Sequence, residues 1–367
     1  MQKQAIDAME ALVYGFKRWD FSVVAAEGDL TFDARYEPTT DSKFKIAGTP
    51  GLEQLSRRLP RQLAFQSVIS TACVSSMLEW IKPVVIAQAG KDKQLAASLL
   101  ADLSALIASQ QKGCGMAVGM SEHGLDLAQV FQVEDVSTTF GLIDAYIGDI
   151  NAAKAGLHYK RMPVLVGGDS SRLYEVSFNK KDMKEANPAL RGLVDSNFVD
   201  MLDTAGDDKA SLRIISNGTW MAVVAGTPKL LGGMRRALSQ PSVFASSLDA
   251  IAANTDGDLI MAMSIDLRSL FNGMLAYVHA DPKELKHAFS SKVARSIMSK
   301  FKPIPGPPVA MSASAASHDD GAVTSSFVCE VEQVAALCWE IWEKWLVGVR
   351  EAEEATQAEE AKKSGKK

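Results

Sequence analysis

The chain has 367 residues, a formal net charge of −5 and a sequence pI near 5.7, with 47% hydrophobic and 23% charged residues. That length holds two ordinary domains or one large one, and the composition is globular rather than disordered. The acidic balance argues against a nucleic-acid binder, whose surface would be basic. No apolar run reaches the roughly 18 residues that a transmembrane helix needs.

Ile6, Met9, Leu12, Val13 and Phe16 share one helical face, so the spacing predicts a helix from Gln4 to Trp19. The interspersed Lys3, Asp7, Glu10, Lys17 and Arg18 are wrong for a signal peptide, and as written the chain is expected in the cytoplasm. Phe21 to Tyr36 reads as a hairpin about the Glu27-Gly28-Asp29 corner. A short helix over Gly51–Leu59 ends at Pro60, and Leu63–Ser70 is a strand. Ala72–Gln88 is a helix with a kink expected at Pro83, and Leu95–Ser109 is an apolar helix. Met116–Val133 is a hairpin turning at His123-Gly124, followed by a helix from Val136 to Ala155.

Leu157–Met162 reads as the join between two halves. Beyond it, strands at Val164–Val166 and Leu173–Phe178 flank a Gly167-Gly168-Asp169 turn, and Pro188 starts a helix to Leu202. Asn217-Gly218 between Leu212–Ile215 and Thr219–Val224 is the strongest hairpin signal. Thr227-Pro228 supplies an N-cap hydroxyl and a proline at the first helical position. A helix at Ser246–Asn254, a strand at Leu259–Ser264, a helix at Leu267–Tyr277 and another opened by Pro282 follow. The run Pro303–Pro308 cannot be helix interior and leads into a hairpin at Asp319-Asp320-Gly321. Val334 to Glu359 is a long helix, and Lys362–Lys367 a basic tail.

The corner glycines Gly124 and Gly321 lie 197 positions apart. The same offset matches Cys73, Val74, Met77, Leu78 and Ile81 to Leu270, Phe271, Met274, Leu275 and Val278. Strand, helix, helix, hairpin and closing helix recur in one order, which predicts an internal duplication. The expected fold is α+β, with antiparallel sheets and helices packed on one face. The expected units are a first half over residues 1–157, a second over 158–350 and a charged tail over 351–367.

Four features carry a family resemblance: Val223-Val-Ala-Gly-Thr-Pro-Lys-Leu-Leu, Ser246-Ser-Leu with Asp258-Leu-Ile-Met-Ala-Met-Ser, Pro307-Pro-Val-Ala-Met-Ser, and Arg58-Leu-Pro with Leu63-Ala-Phe. Together they resemble a bacterial family described only as a domain of unknown function, built of repeated hairpin-plus-helix modules and often exported or membrane-anchored. The family has no established active site, so the resemblance implies none here. Met1 falls inside a helix leading to a hairpin. If the true start lies upstream, the protein would be extracytoplasmic.

No chemical motif stands out. Gly167-Gly168-Asp169 lacks a phosphate-loop pattern, and the Asn254-Thr-Asp-Gly-Asp258 run lacks the glycine and glutamate of a calcium loop. His123 and His318 both fall at hairpin tips, where simple exposure is expected and a shared ligand or metal is the alternative. Cys73, Cys114, Cys329 and Cys338 form no C-x-x-C pair and read as buried free thiols. Arg57, Arg58 and Arg61 read as a solvated helix end. Neither a cofactor, a metal nor a catalytic residue is expected. In the last helix, Cys338, Trp342, Trp345 and Val349 fall at i, i+4, i+7 and i+11. This stripe reads as core, with Trp342, Trp345 and Val349 as candidate contacts for a protein partner or for self-association. The expected function is non-enzymatic binding or scaffolding. A hydrolase with a site between the halves is the alternative.

Overall fold

The computed structural model describes residues 16–26, 28–38, 47–89, 92–154, 156–164, 171–186, 209–240, 248, 251, 255–280 and 291–364. The expected helices at Pro188–Leu202 and after Pro282, most of those at Gln4–Trp19 and Ser246–Asn254, and the Gly167-Gly168-Asp169 turn lie outside these residues.

The described strands are β1 (Phe16–Ala26), β2 (Asp29–Pro38), β3 (Phe65–Ser70), β4 (Gln110–Ser121), β5 (Gly124–Val133), β6 (Leu157–Met162), β7 (Ser171–Phe178), β8 (Lys209–Ser216), β9 (Trp220–Ala225), β10 (Asp258–Asp266), β11 (Ala310–Ser317) and β12 (Val323–Cys329). The helices are α1 (Glu53–Ser56), α2 (Thr71–Gln88), α3 (Lys93–Ala108), α4 (Val136–Ala153), α5 (Lys180–Ala186), α6 (Pro228–Ser239), α7 (Leu267–Ala280), α8 (Lys292–Met298) and α9 (Val331–Ser364). All described strands form one antiparallel sheet in the order β1-β2-β12-β11-β10-β3-β4-β5-β9-β8-β7-β6.

Two strand–helix–helix–hairpin–helix runs meet at the centre of this sheet, where β3 pairs with β10. Reading outward, β3-β4-β5 continues into the hairpin β9-β8, and β10-β11-β12 continues into the hairpin β2-β1. Each flanking hairpin precedes one run in sequence but extends the other run's strands. Strands from either side of residue 157 are therefore hydrogen-bonded in one sheet, as at β5–β9 and β2–β12.

Local chemistry sets the corners and caps. Gly218 turns the β8–β9 corner at φ 96°, a conformation that side chains disfavour. Beside it, the Asn217 carboxamide accepts from the Trp220 amide and donates to the Leu238 carbonyl at the end of α6. Thr227 caps α6 by accepting from the Leu230 amide. Asn272 brackets Ile304 through both its amide and its carbonyl, which pins the proline-rich run onto α7. Pro83 lies inside α2.

Helices cover both faces where β9 runs, not one. Trp220, Ala222 and Val224 pack with α6 residues Leu230, Met234 and Leu238 and with Leu52 and Leu55. Met221 points the other way, into a cluster with Phe140, Ile143 and Ile147 of α4. Alternation along a strand buried on both sides produces this division. α6 was legible in the sequence, but the side of the sheet on which it lies was not.

Several sequence expectations change. Phe16–Trp19 are strand, because pairing with β2 extends the hairpin past the apolar stripe that suggested helix. Leu157–Met162, read as a join, is an edge strand paired with β7. The four cysteines are free; Cys73 is buried, Cys114 and Cys329 are half-buried, and Cys338 is exposed.

Met234 is fully buried between α6 and the sheet. Met234→Ala should lower unfolding free energy by about 2–5 kcal/mol, through lost transfer energy and a residual cavity, as read by urea denaturation.

Candidate functional site

Pairing across the sheet fixes one transverse row of side chains on the face that α6 occupies. It runs Ser22, Asp33, Ser326, Ser314, Ala262, Val68, Gly115, Val130, Ala222 and Ile215. From Ala262 to Ile215 the row is apolar and sealed beneath α1, α6, Leu248 and Ile251. At Gly115, an added Cβ would lie 3.3–3.5 Å from Leu55 and Leu59, so even a methyl group would crowd that floor. From Ser314 to Ser22 the same face is polar, and it forms a cavity of about 810 Å³ bounded by Ile251, Thr255 and Asp256 on its inner side.

The charges around this groove are unevenly satisfied. Arg35 is paired with Asp320 at 2.6 Å, and Arg18 with Asp20 at 2.8 Å. Glu330 accepts a hydrogen bond from the Ala310 amide. Among the described residues, Asp33 has neither an ion-pair nor a hydrogen-bond partner. The same is true of the Ser314 hydroxyl, although Ser314 is only 9% exposed. Both groups open onto this space without a described protein partner, which leaves them to water or a ligand.

The second feature is α9. Val334, Leu337, Ile341 and Trp345 pack with Leu275, Met298, Phe301, Ile304 and Val309. Trp339, Trp342 and Val347 are 63%, 52% and 53% exposed, and Leu346 also faces solvent. The Trp339 indole donates to Glu343 along the helix at 2.8 Å. Of the sequence's candidate contacts, Trp342 is therefore exposed, Trp345 is largely core and Val349 is half-buried. Trp339, which the sequence placed on the flank, is the most exposed. The helix is apolar on two adjacent stripes, and sequence spacing alone does not show which one is covered.

The hairpin-tip histidines are not brought into a joint site. His123 lies 3.5 Å from its neighbour Glu122, and His318 contacts the Thr324 hydroxyl. No cluster of three His, Cys, Asp or Glu residues suited to a metal occurs among the described residues. No described helix is long and apolar enough to cross a membrane.

Arg58 departs most from its sequence reading. Its guanidinium donates to the Ala237 and Leu238 carbonyls at 2.9 and 2.6 Å and lies 4.0 Å over the Trp220 ring. Burial pushes its pKa below the ordinary arginine value. It caps the C-terminus of α6, a role invisible in sequence because its partners lie about 180 residues away. Comparison with family models, curated proteins and solved structures finds no match.

Arg58→Ala should cost about 2–3 kcal/mol in a denaturant melt, and Arg58→Lys should recover only part of that, because an ammonium cannot reproduce the planar stacked fork. Burial pushes the Cys114 thiol from 9.0 up to about 11, partly offset by a hydrogen bond from Gln129. The unfolded chain therefore releases this proton first, and the thiol's contribution to stability should fall as pH rises from about 9 to 11. Wild type should lose stability relative to Cys114→Ala across that window, measured by denaturant midpoints at each pH.

Proposed function

We propose that this chain is a non-enzymatic binding protein, built from two halves that arose by internal duplication, and that it self-associates through α9. The observation that carries the reading is the uncovered aromatic face formed by Trp339 and Trp342. Solvent-facing tryptophans on a helix whose adjacent stripe is well packed favour a contact surface over a core role.

The sheet supports the same reading. β8 is covered along its outer edge by β7, whereas β1, its counterpart in the other half, has no described strand beyond it. Phe21, Val23 and Phe32 are exposed at that bare end. An edge strand of this kind is self-complementary in an antiparallel, two-fold arrangement. The shared order of elements and the common sheet order around β3 and β10 support duplication. So does the resemblance to a family of repeated hairpin-plus-helix modules.

The hydrolase alternative draws on the serines and Asp33 in the groove. A nucleophilic hydroxyl needs a base within hydrogen-bond reach; the described lining residues include no histidine or lysine, and no described hydrogen bond joins a lining carboxylate to a lining serine. That favours binding over turnover.

Sedimentation velocity across the micromolar range should show a dimer for the wild type. The Trp339→Ala/Trp342→Ala double variant should be monomeric with an unchanged melting temperature. A wild type that stays monomeric throughout would remove self-association as the function.

A further inference from the structure

We propose that the polar groove over β1, β2, β12 and β11 binds an organic ammonium ligand of the polyamine class. The inference rests on the groove alone and is independent of α9.

In half of the sheet this face is a sealed core. Ala117, Ala128 and Val224 lie under α1 and α6. The places they occupy in β4, β5 and β9 are taken in β11, β12 and β2 by Ser314, Ser326 and Asp33. A methyl-lined floor has become one of hydroxyls and a carboxylate, at the same positions in a matching arrangement of strands. Core alanine and valine would serve if this surface only had to hold a helix. Serine and aspartate at those positions weaken such packing and supply hydrogen-bond acceptors instead.

The sign of the ligand follows from which charges are already spent. Arg35 and Arg18 are engaged by Asp320 and Asp20. Asp33 is unpaired among the described residues, and Asp256 and Glu330 also line the cavity. An anion would meet net repulsion. A bare metal ion would lack a convergent ligand set among the described residues. An ammonium group carries the complementary charge and donates several hydrogen bonds, which suits a carboxylate beside hydroxyl acceptors. Ser314 is only 9% exposed, and its hydroxyl, which has no partner among the described residues, lines this space and would gain one. The volume of about 810 Å³ falls among small-molecule sites. Asp33 is itself exposed, so the interaction should be salt-sensitive.

The test is isothermal titration of the full chain with spermidine, beside glucose as a neutral polyol and citrate as an anion. Spermidine should bind, and the other two should not. Asp33→Asn should weaken spermidine about tenfold. Ser314→Ala should weaken it about threefold while leaving the melting temperature essentially unchanged, because the hydroxyl makes no described hydrogen bond within the protein. Salt should reduce the wild-type affinity more than that of Asp33→Asn. Absence of spermidine binding, binding indifferent to both substitutions, or equal binding of glucose or citrate would each overturn the assignment. The dimerisation state of the Trp339→Ala/Trp342→Ala variant has no bearing on it, so the two proposals fail separately.

Discussion

Phe65 to Ile69 pairs with Ile265 to Met261, and this short antiparallel seam joins stretches that are far apart in sequence. Its register decides the phase of every strand on either side. Val68 and Ala262 are opposite one another and fully buried, so the seam places both on the face beneath α1 and α6. A slip of one residue would present Ser67 or Met263 to that core and send one half's apolar set to the other face. The groove depends on the same register, because Ser314 and Ser326 are in phase with Ala262 through β11 and β12.

The seam also explains how one sheet has two different surfaces. On the β4-β5-β9 side, small residues on the floor allow α1 and α6 to approach closely, and Arg58 and Asn217 secure the end of α6 against the β8–β9 corner. Asp126, itself buried, accepts from the Thr227 amide and fixes where that helix begins. On the β11-β12-β2 side the floor carries hydroxyls and carboxylates. Packing cohesion and ligand chemistry are thus divided between two ends of one continuous layer.

Much of this architecture was legible in the sequence. Asn217-Gly218, Gly124 and Gly321 each mark a real corner, and Thr227-Pro228 starts a real helix, because turns and caps are decided by residues within a few positions of one another. The β3–β10 seam could not be read, since strand pairing over long separations leaves no local trace. Arg58 was misread for the same reason: its carbonyl and aromatic partners are supplied by distant segments. The groove was missed because Ser312, Ser314 and Ser326 resemble ordinary solvent-facing strand residues until their strands are placed beside Asp33. In α9, the tryptophan-rich stretch was visible, but which stripe met α7 and α8 depended on packing alone.

The two ends of the sheet finish differently, and this difference bears on how the molecule meets others. Beyond β8, the hairpin β7–β6 adds two strands, and Tyr159 and Tyr174 complete the apolar cluster under α4. The outermost strand there carries exposed His158, Lys160 and Arg161, charged and polar groups that discourage edge-to-edge pairing. At the opposite end β1 is the last described strand, and no described strand stands in for β7. Phe21, Val23 and Val24 are exposed along it, and the outer stripe of α9 is left uncovered in the same half. One end thus has its apolar cluster closed by added strands and its edge blunted by charge. At the other end no described strand follows β1, and the exposed, paired Arg18 and Asp20 of that strand stand among its apolar residues.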